Sequence, residues 1–370
     1  MKTNLIFIHL FNDFSGSPRV LRDAIDAVQE YKEINRYNLH IITSRNFGFL
    51  SNANVKYHYV PYCTSKNKYI QLLRYFFSQI MLFFILSFML ISFRISGSKS
   101  IVIVNTLLPF SGHIAAKLFS NHNIAYIHET HIRPRLLMSF LKKIVSLCAD
   151  TKIYVSKYVK EEINLKGGVS FVIYNGLRSD FVIDNFDPKS KFDRKQILFV
   201  GSLKKYKGVY SFVELASKLP EFNFVAALNA PACDFDLFSK NVVVSNFVAL
   251  NNPSGLLDLY KNSMLVVNLS DPFHWVETFG LTLLEGISSG TPVVAPPYGG
   301  PLEFVDDKVG ALIEPNRIDL VASFIYNIGN DFTSWEKKSN ECLKRASSFS
   351  QSEYKKNIVG VINKISQNYW

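Results

Sequence analysis

The chain has 370 residues, of which 48% are hydrophobic and 19% are charged, so it is long enough for about two domains with sizeable cores. This composition excludes a disordered chain, a collagen-like repeat and a small disulfide scaffold. The four cysteines are dispersed and form no Cys-x-x-Cys pair, which excludes zinc-ribbon and thioredoxin-type sites and fits a reducing compartment.

The net charge of +11 resides in the first half of the chain. Residues 1–185 hold 22 Lys and Arg against 11 Asp and Glu, whereas residues 186–370 hold 19 of each kind. No acidic residue lies between Glu33 and Glu129. This basic half predicts an anionic partner, such as a phosphorylated substrate or an acidic membrane surface. Nucleic acid is not expected, because the sequence has no zinc-finger spacing, no heptad-linked basic region and no RNA-binding signature.

Short apolar runs alternate with helical stretches in the first half. Strands are expected at 5–10, 39–43, 101–104, 124–127 and 152–155, and helices at 17–33 and 111–120. This alternation predicts a parallel sheet covered on both faces. The run at 5–10 contains His9 and is interpreted as a buried strand rather than a secretory signal, so a cytoplasmic location is expected.

Residues 75–93 form a stretch of 19 residues without a charge. As a helix it would be about 28 Å long, close to the thickness of a bilayer core. A membrane span would separate the strands expected at 39–43 and 101–104, which should share one sheet. We therefore expect a helix that packs on the sheet, either fully buried or lying on an anionic membrane surface, and the span is the weaker alternative. The flanking basic residues are Lys66, Lys68, Arg74, Arg94 and Lys99.

The second half repeats the pattern after a polar connector at 184–196. Strands are expected at 197–200, 223–228, 242–246, 264–269 and 292–295, and helices at 208–219, 254–262, 280–289 and 316–329. The sequence thus predicts an α/β fold of two doubly wound, Rossmann-like domains, at 1–183 and 197–350, that face an interdomain cleft.

Two glutamates follow the strand expected at 264–269. Glu277 should lie in a loop, Phe279-Gly280 should open a helix, and Glu285 should lie about a turn and a half into it. The amides at a helix start bind anions, and carboxylates accept hydrogen bonds from sugar or ribose hydroxyls. Taken alone, the pair is better explained as a helix cap and a solvated side chain.

The surroundings of this pair resemble the signature of glycosyltransferase family 4, whose members have the GT-B fold. Seven residues separate the glutamates, Phe279-Gly280 follows the first, and a Gly-x-Pro-Val stretch follows the second. Similar motifs occur in the family's order along almost the whole chain, at His128-Glu129, Val155-Ser156, Asn175-Gly176, 197–209 and Gly299-Gly300 with Glu303. The resemblance implies a retaining, metal-independent transferase and a last helix, 351–370, that crosses back to the N-terminal domain.

The resemblance also assigns roles to individual residues. Lys207 would pair with the donor diphosphate, Glu277 would contact donor-sugar hydroxyls, and His128 would lie near the reacting centre; these three are the catalytic candidates. Glu285 would contact the ribose. The donor-binding candidates are Gly16, Gly201, Ser202, Lys204, Lys207, Glu277, Thr278, Phe279, Gly280, Leu281 and Glu285.

The chain departs from the family pattern at some of these positions. Ser202 stands where the family commonly has arginine, with Lys204 or Lys205 as candidates for the second positive charge. Gly16 lies in Ser-Gly-Ser where the family commonly has Gly-Gly. Asp234-x-Asp236 has the spacing of metal-dependent GT-A enzymes, but we interpret it as part of a polar loop. Neither a metal nor a cofactor is expected.

The sequence therefore predicts transfer of a sugar from a nucleotide-sugar donor to an oligosaccharide or lipid-linked acceptor. The product would be a surface polysaccharide, such as O-antigen, lipopolysaccharide or capsule, made at the inner face of the cell membrane. The alternative is a catalytically silent GT-B protein that binds membrane glycans or partner transferases. A dinucleotide-dependent oxidoreductase is not supported, because the chain has no Gly-x-Gly-x-x-Gly turn.

Overall fold

The computed structural model describes residues 2–31, 36–177, 181 and 186–367. The chain divides into two compact units: Met1–Gly176 with Ser352–Trp370, and Leu177–Gln351. Each unit contains one parallel sheet whose strand order reverses beside its first strand. Right-handed crossovers in such an order place helices on both faces, so the expectation of two Rossmann-like domains is confirmed.

Within the described residues, the first unit has seven strands in the order β3-β2-β1-β4-β5-β6-β7. The central strands are fully buried, in keeping with their apolar runs. Because the order reverses between β1 and β4, the carboxyl ends of these strands border the crevice where open α/β sheets bind ligands. The strands are β1 (Thr3–Ile8), β2 (Tyr37–Thr43), β3 (Lys56–Tyr59), β4 (Ser100–Asn105), β5 (His122–Ile127), β6 (Thr151–Tyr154) and β7 (Val169–Val172).

Helices connect these strands. They are α1 (Gly16–Glu30), α2 (Lys68–Ile95), α3 (Phe110–Phe119), α4 (Arg135–Cys148) and α5 (Lys157–Ile163).

The apolar segment at 75–93 lies within α2, which is longer than expected. By length and composition alone α2 would suffice to cross a membrane. However, Leu82, Leu86 and Leu90 are buried in the core of the first unit, and β3 and β4 on either side of α2 share one sheet. This topology favours the packed helix over the span.

The part of the second unit that the structure describes has six strands, in the order β10-β9-β8-β11-β12-β13. The strand order reverses between β8 and β11, and the loops that carry the expected donor residues begin at the ends of these two strands. The strands are β8 (Gln196–Ser202), β9 (Asn223–Asn229), β10 (Phe247–Asn251), β11 (Leu265–Val267), β12 (Val293–Ala295) and β13 (Gly310–Leu312).

Seven helices are described in this unit, together with two short 3-10 helices at Lys205–Lys207 and Gly300–Glu303. They are α6 (Pro188–Asp193), α7 (Val209–Lys218), α8 (Ala232–Asn241), α9 (Leu256–Asn262), α10 (Leu281–Ser288), α11 (Ile318–Gly329) and α12 (Phe332–Ser347). The last helix, α13 (Gln351–Gln367), packs in the first unit, where the hydroxyl of Tyr354 donates to the Val20 carbonyl at 3.1 Å. Residues 368–370 of the expected helix lie outside the described residues.

The structure corrects three sequence-based expectations. The connector expected at 184–196 is a folded part of the second unit, because Phe192 of α6 is buried against Trp335; its expected start at 184 lies outside the described residues. The strand expected at 242–246 is wrong, because Val243 in this stretch is 91% exposed. The strand of this region is β10, which begins at Phe247. The helix expected at 17–33 ends at Glu30, and residues 32–33 are not described.

Candidate active site

The loop after β8 places Lys207 beside the carboxyl end of β11. Gly208, directly after it, has φ +87°, and a Cβ there would lie 2.3 Å from the carbonyl oxygen of Leu269. Only glycine combines this left-handed backbone with such a close approach. Gly208 therefore fixes the point at which the loop packs on the strand and α7 begins.

Lys207 and Glu277 form a close ion pair although 70 residues separate them in sequence. The Lys207 Nζ lies 2.6 Å from the Glu277 Oε1, and both side chains are about four-fifths buried. The ammonium also lies 4.4 Å from the centroid of the Trp275 ring, and the hydroxyl of Ser270 donates to Glu277 at 3.4 Å. An ammonium has three N–H donors, so Lys207 keeps capacity for an anionic ligand while it contacts Glu277.

The loop that carries Glu277 is held by the two glycines expected from the Gly-Gly motif. The Gly300 amide donates to the Glu277 carbonyl at 2.8 Å. A Cβ on Gly299 would lie 2.4 Å from that carbonyl oxygen, and one on Gly300 would lie 2.3 Å from the Thr278 carbonyl oxygen. Side chains at either position would displace Glu277. The role of this pair in packing was not deduced from the sequence, although the motif itself was recognised.

The start of α10 lies next to this loop. Gly280 precedes the helix with φ +94° and provides no capping side chain. The amides of Leu283 and Leu284 already donate to the Gly280 carbonyl at 3.1 Å, so an anion at this helix start would use the amides that precede them. Thr278 and Leu281 flank this turn. Phe279 is 2% exposed and its ring packs on Phe304, so its side chain belongs to the core rather than to a ligand site.

Glu285 lies on α10 but is only 3% exposed. Its Oε2 accepts a hydrogen bond of 3.0 Å from the hydroxyl of Tyr260, which is fully buried on α9. Glu285 is thus anchored by α9, and its expected contact with a ribose stays a prediction. Tyr260 was missed by the sequence analysis, because an aromatic residue in a helix is most simply explained as core.

The remaining expected residues of the second unit lie around the end of β8. Gly201 and Ser202 are the last two residues of that strand, and the Lys204 carbonyl accepts the Lys207 amide at 2.9 Å. The side chains of Lys204 and Lys205 are exposed. The structure thus brings the expected donor residues of this unit to the carboxyl ends of β8 and β11.

His128 and Gly16 belong to a second group, in the first unit. The His128 Nε2 donates to the Asn105 Oδ1 at 2.8 Å, and the Asn105 amide donates to His9 at 3.0 Å and to the Ser17 carbonyl at 3.1 Å. These contacts join the carboxyl ends of β1, β4 and β5. Burial lowers the pKa of His128 to about 3, so the imidazole is neutral at physiological pH and acts as a hydrogen-bond donor.

Glu129 was matched as part of the His-Glu motif but was given no role. Its Oε2 accepts from the backbone amides of Leu107 at 3.3 Å and His128 at 3.4 Å. Burial raises the pKa of Glu129 to about 7. A carboxyl that titrates near neutrality, next to the expected histidine, is a candidate functional group.

Gly16 begins α1, and a Cβ built on it would have no atom within 4 Å. The chain around Gly16 therefore does not require glycine, and its expected contact with a ligand stays a prediction.

Asp234 and Asp236 both lie on α8 rather than in a loop. At a spacing of two residues they do not share a helix face. Within residues 2–31, 36–177, 181 and 186–367, no group of three His, Cys, Asp or Glu side chains is placed to hold a metal ion. The expectation of a metal-independent reaction stays a prediction.

Comparison with known proteins agrees with this architecture. Residues 194–331 match the family described as Glycosyl transferases group 1. An uncharacterized glycosyltransferase of Methanocaldococcus jannaschii is 30% identical over 216 residues, which cover 52% of this chain and 54% of the relative. An uncharacterized protein in the cps region of Klebsiella pneumoniae is 26% identical over 58% of this chain and 59% of its own. The matched regions thus span little more than half the length of these relatives.

Solved structures extend the likeness to nearly all of the chain. Anabaena HepE in complex with UDP-glucose superposes with a TM-score of 0.77 at 16% identity, covering 98% of this chain and 99% of that one. At this identity the likeness establishes the fold. The chain therefore has the GT-B fold, and residues 194–331 of its second unit match the family of glycosyl transferases group 1.

Proposed function

We propose that the protein is a retaining glycosyltransferase that moves a sugar from a nucleotide-sugar donor to a glycan acceptor without a metal ion. The observation that carries this proposal is the Lys207–Glu277 pair, which lies beside the uncapped start of α10. It combines a held cation, a carboxylate and backbone amides, which are the groups that a sugar diphosphate needs. A structural neighbour with this fold binds UDP-glucose, which supports the same class of donor.

Lys207 and the first-turn amides of α10 are proposed to bind the donor diphosphate. As the bond between the sugar and the phosphate breaks, negative charge grows on the leaving oxygen. Positive groups already fixed in place stabilise that charge without having to reorganise. Glu277 is proposed to accept hydrogen bonds from donor-sugar hydroxyls, because it is itself held by Ser270 and by Lys207.

The acceptor hydroxyl is proposed to attack the sugar from the face that the diphosphate leaves. A bond forms between the acceptor oxygen and the anomeric carbon, the bond to the phosphate oxygen breaks, and the acceptor proton passes to that phosphate oxygen. Neutral His128 donates its one N–H to Asn105, so its Nδ1 is proposed to accept a hydrogen bond from a substrate hydroxyl. This mechanism needs no carboxylate as a covalent nucleophile.

A lipid-linked acceptor at the inner face of the membrane is the second part of the proposal. One face of α2 is buried, while Phe84 is 61% and Phe88 is 78% exposed on the other. Basic residues stand at both ends of the helix, which suits an anionic lipid surface. The likeness to a protein of the cps region supports a surface polysaccharide as the product.

The experiment that tests the proposed function compares sugar transfer by the purified chain with transfer by Glu277→Gln, using membrane extracts as the acceptor and labelled nucleotide sugars as donors. We expect transfer by the wild type and a loss of about 10²-fold or more in the variant, because the donor sugar loses a carboxylate partner. Glu221→Gln, the same change at an exposed carboxylate of the second unit, is the matched control. Equal rates for Glu277→Gln and the wild type would contradict the assignment.

The catalytically silent alternative predicts binding without turnover. Ser202 in place of the family's arginine is the feature that favours it. Nucleotide-sugar binding by a folded sample that transfers no sugar to any membrane extract would select this alternative.

A further inference from the structure

A cavity of about 570 Å³ lies in the second unit behind the Lys207 loop. Three chain segments line it, at 205–211, 269–274 and 314–316, which follow β8, β11 and β13. Lys207, Glu277 and Glu285 are not among its described lining residues, and neither is the start of α10. The cavity is therefore separate from the groups proposed to bind the donor, and its size is typical of a small-molecule site.

An ordered turn presents an aromatic ring at the mouth of this cavity. The Asp271 carbonyl accepts the amides of His274 at 3.1 Å and Trp275 at 2.8 Å, while the Asp271 carboxylate accepts the Phe273 amide at 3.0 Å. The Asp271 amide donates to the Tyr206 carbonyl at 2.8 Å and ties the turn to the Lys207 loop. Phe273, at the tip, is 91% exposed. A large apolar ring held in solvent on a fixed turn is typical of a binding surface.

The chemistry of the lining indicates the class of ligand. Tyr206, Tyr210 and Phe273 supply aromatic rings, and Tyr210 is 53% exposed. Pyranose rings pack their C–H faces on aromatic rings, and their hydroxyls hydrogen-bond to planar polar groups. Such groups are present as the carboxylate of Glu314 and the amide of Asn316.

The charge of the cavity argues against an anionic ligand. The titratable side chains described in the lining are the carboxylates of Asp271 and Glu314, the ammonium of Lys205 and the imidazole of His274, whose Nδ1 lies 2.6 Å from the Asp271 Oδ2. With that imidazole neutral, these side chains sum to about −1, and a nucleotide or a phosphorylated sugar would add further negative charge. A neutral saccharide would bind without this electrostatic repulsion.

We propose that this cavity binds a neutral oligosaccharide, with Phe273 and Tyr210 stacking on sugar rings and Glu314 accepting hydrogen bonds from hydroxyls. The inference goes beyond the proposed function, because it requires neither sugar transfer nor nucleotide binding. It assigns to the second unit a glycan site of its own, which would hold a growing chain close to the loop that carries Lys207.

The test measures binding of the full-length protein to an array of neutral oligosaccharides, followed by titration of the tightest ligand in solution. The variants are Phe273→Ala, Tyr210→Ala and, as matched control, Val243→Ala, which truncates an apolar side chain of the same unit that is also 91% exposed. UDP and GDP binding is measured on the same samples. We expect Phe273→Ala to weaken glycan binding about tenfold or more, with nucleotide affinity unchanged and Val243→Ala like the wild type.

Two results would overturn the inference. One is the absence of any retained neutral glycan on the array, or equal glycan affinity for the wild type and both cavity variants. The other is a loss of nucleotide binding in Phe273→Ala, which would assign the cavity to the donor instead. Failure of the proposed function is distinguishable, because it would appear as absent nucleotide binding or absent sugar transfer in the wild type while glycan binding persists.

Discussion

At the scale of single residues, the proposed donor site depends on one ammonium group, which lies between a carboxylate and an aromatic ring. Lys207 contacts Glu277 at 2.6 Å and lies over Trp275 at 4.4 Å. A solvent-exposed ion pair of this kind would contribute little to stability. These two side chains are about four-fifths buried, and charges interact more strongly in such surroundings. The ammonium is therefore ordered before any ligand binds.

Lys207→Ala is expected to lower both nucleotide-sugar affinity and the rate of transfer. Removing a single preorganised donor to a developing negative charge typically costs about 10²–10³-fold in kcat. Kd from calorimetry and kcat from a transfer assay check this. Lys240→Ala, which removes an exposed lysine of α8, is the control. Equal Kd and kcat for Lys207→Ala and the wild type would show that Lys207 does not bind the donor.

Glu129 gives the protein a specific pH dependence. Its folded pKa of about 7 lies above the ordinary value of 4.5, so the folded state binds more protons than the unfolded state between these pH values. The contribution of Glu129 to the free energy of unfolding is therefore present below pH 4.5 and is lost as the pH rises to 7, at up to about 1.4 kcal/mol per pH unit.

Glu129→Gln should remove this component. Denaturant titrations from pH 4.5 to 7.5 are expected to show a flatter dependence on pH for the variant than for the wild type. Glu221→Gln changes an exposed carboxylate of the second unit and should follow the wild type. Parallel curves for Glu129→Gln and the wild type would show that Glu129 titrates normally.

The sequence indicates which residues form the site, but it does not indicate which of them contact one another. The two glutamates and Lys207 follow from motifs, yet nothing in their spacing indicates that Lys207 meets Glu277 across 70 positions, because the fold alone brings β8 and β11 together. Tyr260 and Glu129 act through tertiary contacts and burial. No local pattern encodes these properties.

At the scale of elements, two glycines at helix starts differ in what surrounds them. Gly208 has φ +87° and would place a Cβ 2.3 Å from a backbone oxygen, whereas Gly16 has open space. Gly208→Ala is expected to destabilise the second unit by at least about 1–2 kcal/mol, because alanine is disfavoured in the left-handed region and would clash.

Gly16→Ala is the matched substitution and is expected to change stability by no more than about 0.5 kcal/mol. Thermal unfolding of both variants is the measurement. Similar melting temperatures for the two variants would show that the turn at Gly208 adapts more easily than its geometry indicates. Intact stability with lost activity in Gly16→Ala would support the expected ligand contact of Gly16.

Helix α2 has an apolar face that the first unit does not cover. Replacing both Phe84 and Phe88 by serine is expected to weaken binding to anionic liposomes roughly 10²-fold or more, since burying each ring in lipid contributes about 1.5–3 kcal/mol. Cosedimentation with phosphatidylglycerol vesicles measures this effect, with Val243→Ser as the control for lost surface hydrophobicity. Unchanged sedimentation of the double variant would exclude α2 as the membrane contact.

At the scale of the whole molecule, the alternation of apolar runs and helical stretches was enough to predict two parallel α/β units. Buried central strands such as β1 and β4 are apolar throughout, which makes them visible in sequence. Short edge strands were missed, because β3 and β13 are only partly buried and have no such run. The connector was misread because α6 is polar except where Phe192 enters the core.

The second unit is proposed to bind a nucleotide sugar without a metal ion. The most direct test is a thermal-shift screen of the purified protein against UDP-, GDP-, TDP- and CMP-sugars, with EDTA present and Lys207→Ala measured alongside. A ligand at 100 times its Kd stabilises the native state by about 2.7 kcal/mol. We expect one nucleotide class to raise the melting temperature of the wild type but not of the variant. No shift with any donor, in a folded sample, would contradict the account.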